Sequence, residues 1–173
     1  MNIKELMMRE LEDGSLELSG CLLKYEGKDQ RYIYSYDIIK KSLDNDSRVL
    51  EKNSIFGYFP YKHGDRPSLG DAAYFTSKIT VASDGVYGTI LIDPRLKAGK
   101  YLIVLIQECL DNNLDINLDV VGMGSVEVSD YGKYKVQDGY RLDNFIFTFG
   151  ESRQFKEKCN KCNKFKGHHN DRR

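Results

Sequence analysis

The stretch Asp119–Val128, DVVGMGSVEV, places two glycines and one serine just before a short predicted strand at 126–128. Three interpretations are open for it: the serine loop of a hydrolase, a phosphate-binding glycine turn, or a tight corner between strands. A phosphate loop requires a Gly-Lys-Ser/Thr ending, and a dinucleotide loop requires a third glycine that opens a helix. Here the glycines follow a helix and lead into a strand, so the pattern disfavours phosphate binding.

Along the rest of the chain, hydrophobic periodicity and turn residues predict strands and helices in a mixed order. Ser35 is a predicted N-cap, and Ser83-Asp84-Gly85 is a predicted hairpin turn. The best helix begins near Lys97 and is apolar nearly all round, which predicts that it is largely buried. The order predicts an α+β fold, with an antiparallel, barrel-like sheet around that buried helix. The predicted strands are 16–25, 72–81, 86–92, 126–128, 134–136 and 143–149, and the predicted helices are 36–44 and 97–113.

Charge divides the chain of 173 residues, whose overall formal charge is zero. From Arg153 to Arg173 there are eight basic and two acidic residues, so this end is strongly positive and the remainder negative. We therefore predict three parts: an N-terminal extension (1–15), a folded domain (16–152) and a basic tail with cysteines and histidines (153–173). The first residues lack the apolar core of a signal peptide, and no apolar run reaches transmembrane length, so we expect no membrane association.

Four segments, in order along residues 16–152, give the chain a family resemblance. SIFGYF is similar to a short segment with a central glycine (A-L-G-E-L), DGVYGTILI to a D-V-Y-G strand, and VGMGSV to R-G-L-G-S. The remaining segment, which comes first along the chain, is LELSGCLLKYEGKDQRYIYSYDIIKKSL. It resembles a first strand, a turn that ends in tyrosine, and a helix. Together they resemble the prohead core protease family of T-even-type tailed phages. Those serine proteases mature capsids and share their fold with herpesvirus assemblins.

The resemblance does not extend to the catalytic residues. The family histidine comes four residues after the central glycine, which is Gly57 here, and this position is Tyr61. The family nucleophile comes from a serine pair that aligns with Asp119 and Val120. His63 and Ser125 are the nearest residues of the required types, and a displaced His63/Ser125 pair stays open as an alternative. It would need the serine to move six residues along a strand, about 20 Å.

The resemblance implies a place inside the phage prohead or virion, in the host cell cytoplasm, beside scaffold or core proteins and the major capsid protein. Because the aligned positions are not catalytic residue types, whether the chain is an enzyme stays open. The preferred interpretation is a prohead core protein of protease lineage that binds scaffold or capsid proteins, with catalysis lost or re-sited. The alternatives are an active serine endopeptidase and a nucleic-acid-binding module that uses the basic tail. Homo-oligomerisation is also left open.

Two candidate metal sites come from the residues themselves. Cys159 and Cys162 have CxxC spacing and precede His168 and His169, a set of ligand types that suits Zn²⁺. The alternative to a zinc site is a plain basic tail that contacts acidic partners or DNA. Asp119 ends an acidic run with Asp111 and Asp115, but the run lacks the glycine and closing glutamate of a Ca²⁺ loop, so a solvated loop is favoured. No cofactor is expected apart from zinc in the tail.

Overall fold

The computed structural model describes residues 1–27, 30–46, 49, 54–60, 69–129 and 132–149. This part of the chain contains ten strands and two α-helices. The helices are α1 (Tyr36–Asp44) and α2 (Lys97–Asp111). The strands are β1 (Met7–Glu10), β2 (Leu16–Lys24), β3 (Tyr32–Ile33), β4 (Ser54–Tyr58), β5 (Ala72–Val81), β6 (Gly85–Ile92), β7 (Ile116–Met123), β8 (Val126–Val128), β9 (Tyr134–Val136) and β10 (Arg141–Phe149).

The strands form three sheets. The largest has the order β1-β2-β6-β5-β4, the second pairs β10 with β7, and the third has the order β3-β9-β8. All pairs are antiparallel except β3 with β9. The α+β class and the predominance of antiparallel pairing are therefore confirmed. The closed barrel is not found, because the described strands are divided among three separate sheets.

The hairpin of β5 and β6 follows directly from the sequence. Burial alternates along β6, where Val86, Ile90 and Ile92 are completely buried and the odd-numbered residues between them are more exposed. The turn places Gly85 against the carbonyl of Leu23 on the neighbouring strand, where a β-carbon would not fit. Both strands and their turn lie where the sequence predicts them, because the alternation and the turn residues agree.

Helix α2 departs from its predicted burial. One face packs on β5 and β6 and buries Gly99, Leu102, Ile106 and Cys109. The opposite face leaves Tyr101 60% exposed and Val104 47% exposed. The prediction of a largely buried central helix is therefore wrong. The all-round apolar character of the sequence misled it, because no described element covers the outer face.

Strand β10 pairs with β7 on one side and with no described strand on the other, yet its open edge is buried. Side chains replace the missing partner strand. Ser42 Oγ on α1 accepts from the Leu142 amide at 2.8 Å, and Asn144 Oδ1 accepts from the Phe145 amide at 2.8 Å. The hydroxyl of Tyr74 on β5 donates to the carbonyl of Phe145 at 2.6 Å. Because buried backbone groups need partners, these three side chains allow β10 to lie in the core without a closed barrel.

A second set of bonds joins the same two sheets near β4. Asn144 Nδ2 donates to the carbonyl of Phe56 at 2.8 Å, which ties β10 to the edge of the five-stranded sheet. Gly57, the central glycine of SIFGYF, lies directly under the ring of Tyr74, and a β-carbon there would overlap the ring. The glycine therefore lets the tyrosine reach Phe145.

Residues 1–15, which are predicted as an N-terminal extension, carry β1 and contribute to the core. Strand β1 pairs with β2, and Ile3 is completely buried. The Leu118 amide on β7 donates to the carbonyl of Met1 at 2.7 Å, and an isolated bridge joins Asn2 to Asn117. These contacts connect the β7–β10 pair to the beginning of the chain.

Tyr74→Phe should lower the free energy of unfolding by about 1–2 kcal/mol, because the Phe145 carbonyl would stay buried without its donor. Urea denaturation followed by circular dichroism measures the change. Tyr87→Phe is the matched control, since the Tyr87 hydroxyl donates to Asp84 at the protein surface. We expect a loss below about 0.5 kcal/mol for the control. Equal losses in the two variants would contradict the role given to Tyr74.

Asp93, between β6 and α2, should make stability depend on pH. Hydrogen bonds from the Arg95 side chain hold the pKa of Asp93 below its ordinary value of 3.8, against the opposing effect of burial. A lowered pKa gives stability that is fully present at neutral pH and is lost as pH falls through the folded-state value. Arg95→Leu should therefore be less stable than the parent near pH 7, and the difference should shrink towards about pH 3.

Denaturant midpoints over this pH range measure the difference. In Asp93→Asn the pH dependence due to this pair should be absent. If the difference in stability between the parent and Arg95→Leu stays constant with pH, the Asp93–Arg95 pair does not titrate as described.

Candidate functional site

Strand β7 includes the end of the acidic run Asp111–Asp119, for which a solvated loop was predicted, and it carries both positions that the sequence analysis aligned with the family nucleophile. Asp119 lies opposite Ile146 of β10, and Val120 lies opposite Phe145. Because side chains alternate along a strand, Asp119 points to solvent whereas Val120 packs against the core. The loop interpretation is wrong because the run Asp115–Asp119 alternates polar and apolar residues, which is a strand pattern with one solvated face.

Asp119 is engaged on this exposed face. Its Oδ2 accepts a hydrogen bond from Thr148 Oγ1 on β10 at 2.6 Å. The sequence analysis did not identify Thr148, because only the strand register brings it beside Asp119. The position therefore presents a bonded carboxylate where a serine protease would present a free hydroxyl.

The glycines of DVVGMGSVEV form a corner between β7 and β8. A β-carbon on Gly122 would overlap the hydroxyl of Tyr140, and one on Gly124 would press against the Tyr140 backbone. Both glycines thus make room for the residue that precedes β10. Of the three interpretations of this stretch, the geometry matches the tight corner between strands.

Ser125 lies at this corner and is exposed. Its carbonyl accepts from the Gln137 amide at 3.0 Å, which anchors the corner to the end of β9. Its hydroxyl has no hydrogen-bond partner within the described ranges. His63 and Tyr61 lie outside the described residues, so the pairing of His63 with Ser125 stays a prediction.

Two tyrosines lie beside the corner and could be considered as proton acceptors. The rings of Tyr34 and Tyr140 have centroids 5.9 Å apart. Burial raises the pKa of Tyr34 to about 12, and burial also raises the pKa of Tyr140. Both hydroxyls therefore stay protonated at neutral pH, and can donate hydrogen bonds but do not serve as general bases.

The acidic run does not form a metal site. Asp111 accepts from Gln107 and Asp115 accepts from Asn2, each at 2.9 Å, and Asp119 is bonded to Thr148. No group of three or more potential ligands occurs among the residues that the structure describes. The three carboxylates thus have separate polar partners, and the Asp119 metal hypothesis has no support.

The proposed tail ligands, Cys159, Cys162, His168 and His169, lie outside the described residues. Zinc binding and DNA binding by the tail therefore stay predictions. Within the described ranges, neither helix combines the length and the apolar character needed to cross a bilayer.

Comparison with known proteins gives a likeness that concerns the fold. No protein-family model matches the chain, and no curated protein matches it in sequence. Among solved structures, the chain is similar to the bacteriophage T4 capsid assembly protease, gp21, with a TM-score of 0.59. The alignment covers 79% of this chain and 86% of that chain at 18% identity. The chain therefore has the prohead protease fold, as its sequence resemblance implies.

Gly122→Ala should lower the free energy of unfolding by roughly 2 kcal/mol, because the new methyl group must displace Tyr140. Thermal or urea denaturation measures the loss. Tyr140→Phe should recover part of it in the double variant, since the Tyr140 hydroxyl is the atom nearest to the added methyl. Ser125→Ala is the neighbouring control and should change stability by less than about 0.5 kcal/mol. A neutral Gly122→Ala would contradict the packing role of this glycine.

Proposed function

We propose that the protein is a phage prohead core protein of protease lineage, which acts by binding scaffold or capsid proteins. The likeness to a capsid assembly protease over most of both chains supports this lineage. In this proposal the protein works inside the prohead, in the host cell cytoplasm. Its catalysis has been lost from the inherited positions or moved elsewhere.

The residue types on β7 are the observation that supports the proposed loss of catalysis. Serine proteolysis requires a hydroxyl within hydrogen-bond reach of a base, together with donors for the oxyanion. Asp119 offers a carboxylate bonded to Thr148, and Val120 offers only an apolar side chain against the core. Removing one member of such a catalytic unit lowers the rate by several orders of magnitude. The substitutions at these positions therefore favour a binding role over proteolysis.

One observation favours a second candidate function. The hydroxyl of Ser125 is exposed and has no hydrogen-bond partner in the described part of the chain, so it is accessible to a substrate and to a base. An active endopeptidase would use Ser125 with His63 as its base. Against this candidate, Ser125 follows the glycine corner, on the far side of Gly122 from the aligned positions.

The two functions differ in what happens to a scaffold or capsid protein mixed with the purified protein. We expect co-sedimentation or a mass shift in light scattering, and intact partner chains on gels after long incubation. Ser125→Ala should bind as the parent does, because its hydroxyl has no role in the preferred function. His63→Ala serves as the matched control for the second residue of the alternative pair.

Cleavage by the parent that is lost in both Ser125→Ala and His63→Ala would overturn the preferred function and establish the endopeptidase. Absence of both binding and cleavage would reject the two proposals together. Cleavage that persists in both variants would place catalysis at another residue.

A further inference from the structure

Strand β8 is an edge strand that no other described strand covers. It lies at the outside of the three-stranded sheet, and among the described residues only β9 pairs with it. All three of its residues are exposed. Edge strands of this kind are sites where another chain can add a strand, unless charge, proline or a covering element prevents it.

The pairing with β9 determines which backbone groups face solvent. Glu127 lies opposite Lys135, and on either side the Ser129 amide donates to Lys133 and the Gln137 amide donates to Ser125. The hydrogen-bonded positions are therefore the odd-numbered residues of this strand. The amides and carbonyls of Val126 and Val128 point away from β9. Neither residue has a backbone hydrogen bond to any described residue.

Two other edges, those of β10 and β1, differ from β8. The open edge of β10 is satisfied by the side chains of Ser42, Tyr74 and Asn144. Strand β1 carries the charged residues Arg9 and Glu10, which discourage strand addition. Only β8, among these three edges, combines outward backbone groups with valine side chains.

The side chains beside this edge form an apolar strip, defined by Val126, Val128, Tyr134 and Tyr32. Val126 is 44% exposed and Val128 is 65% exposed. Val128 lies opposite Tyr134, which in turn lies beside Tyr32, with ring centroids 5.6 Å apart. Glu127 points to the opposite face. A strand added here would thus meet apolar groups at two positions and a carboxylate between them.

A second copy of this chain suits the edge poorly. In an antiparallel pair of two β8 strands, Val126 of each copy would lie opposite Val128 of the other. Glu127 would then lie directly opposite Glu127 of the second copy. Like charges in directly opposed positions destabilise a strand pair. Glu127 lies opposite Lys135 of β9 and accepts from Gln137 Nε2 at 3.1 Å, but its exposed carboxylate can accept further hydrogen bonds, which favours an incoming lysine or arginine.

We propose that β8 binds an extended segment of a partner protein, with the pattern apolar–basic–apolar, by antiparallel strand addition. Its two apolar residues would pair with Val126 and Val128 through backbone hydrogen bonds and lie along the apolar strip. Its basic residue would lie beside Glu127. The inference rests on the proposed function for the class of partner, a scaffold or capsid protein, and it names the kind of segment that is recognised.

The test uses the purified full chain and a capped, fluorescein-labelled peptide, Thr-Val-Lys-Val-Thr. Fluorescence anisotropy measures binding, and NMR follows the amide signals of Val126 and Val128. We expect both signals to shift and their hydrogen exchange to slow when the peptide binds. N-methylation of the two peptide valines should weaken binding about tenfold or more, because it removes the donors of the added strand. Replacing the peptide lysine by glutamate should also weaken it.

The protein variant for the test is Val128→Pro, which removes an outward amide without removing a bond to β9. It should weaken binding of the peptide about tenfold. Glu10→Pro is the matched control. Glu10, like Val128, is an even-numbered residue whose amide faces outward from its strand, here β1. Binding of the peptide should be unchanged in this variant. Far-ultraviolet circular dichroism verifies that both variants keep the fold.

Binding that survives valine N-methylation or Val128→Pro would overturn the inference, as would absence of binding by the parent. Loss of peptide binding in Val128→Pro with loss of scaffold or capsid binding supports it. Retained scaffold or capsid binding in that variant would reject the β8 site while leaving the proposed function in place.

Discussion

The hydrogen bond from the Tyr74 hydroxyl to the Phe145 carbonyl is the contact on which the two main sheets depend. Phe145 and Tyr74 are both completely buried, and no strand in the described part of the chain pairs with β10 on that side. A carbonyl left alone there would carry the full cost of desolvation. Gly57 is part of the same arrangement because only the absence of a β-carbon lets the tyrosine ring lie across β4. The glycine that marks the family resemblance thus has a packing reason in this chain.

The same arrangement explains why the strands do not close into a barrel. Closure would need a continuous ladder between β4 and β10, and Asn144 instead supplies a side-chain bond to Phe56 and a local bond to the Phe145 amide. Ser42 on α1 satisfies a further amide of β10. These side chains have a limited reach, so they join the two sheets at a few points and do not form a continuous ladder between them. The fold of a capsid assembly protease is thereby retained without a complete ring of paired strands.

Sequence reasoning was most successful where local signals agreed. The hairpin of β5 and β6 and helix α1 combine clear periodicity with turn or cap residues, and they lie at the predicted positions. It was wrong about β7 and about the burial of α2. For β7 the local signal was present in the alternation of polar and apolar residues over 115–119, but the acidic residues were interpreted as a loop. The exposure of Tyr101, in contrast, depends on which elements cover the helix and does not follow from local pattern. The importance of Thr148 and Tyr140 could not be predicted for the same reason: each acts across strands.

The glycine corner determines where the exposed strand β8 lies. Tyr140 occupies the space over Gly122 and Gly124, and with Tyr34 it lines this end of β7 with protonated hydroxyls. Such surroundings can position a backbone but cannot take a proton from a nucleophile. Immediately beyond the corner the chain forms β8, whose valines are exposed. The two glycines therefore have a structural reason that is independent of any catalysis, because they form the turn that sets the direction of β8.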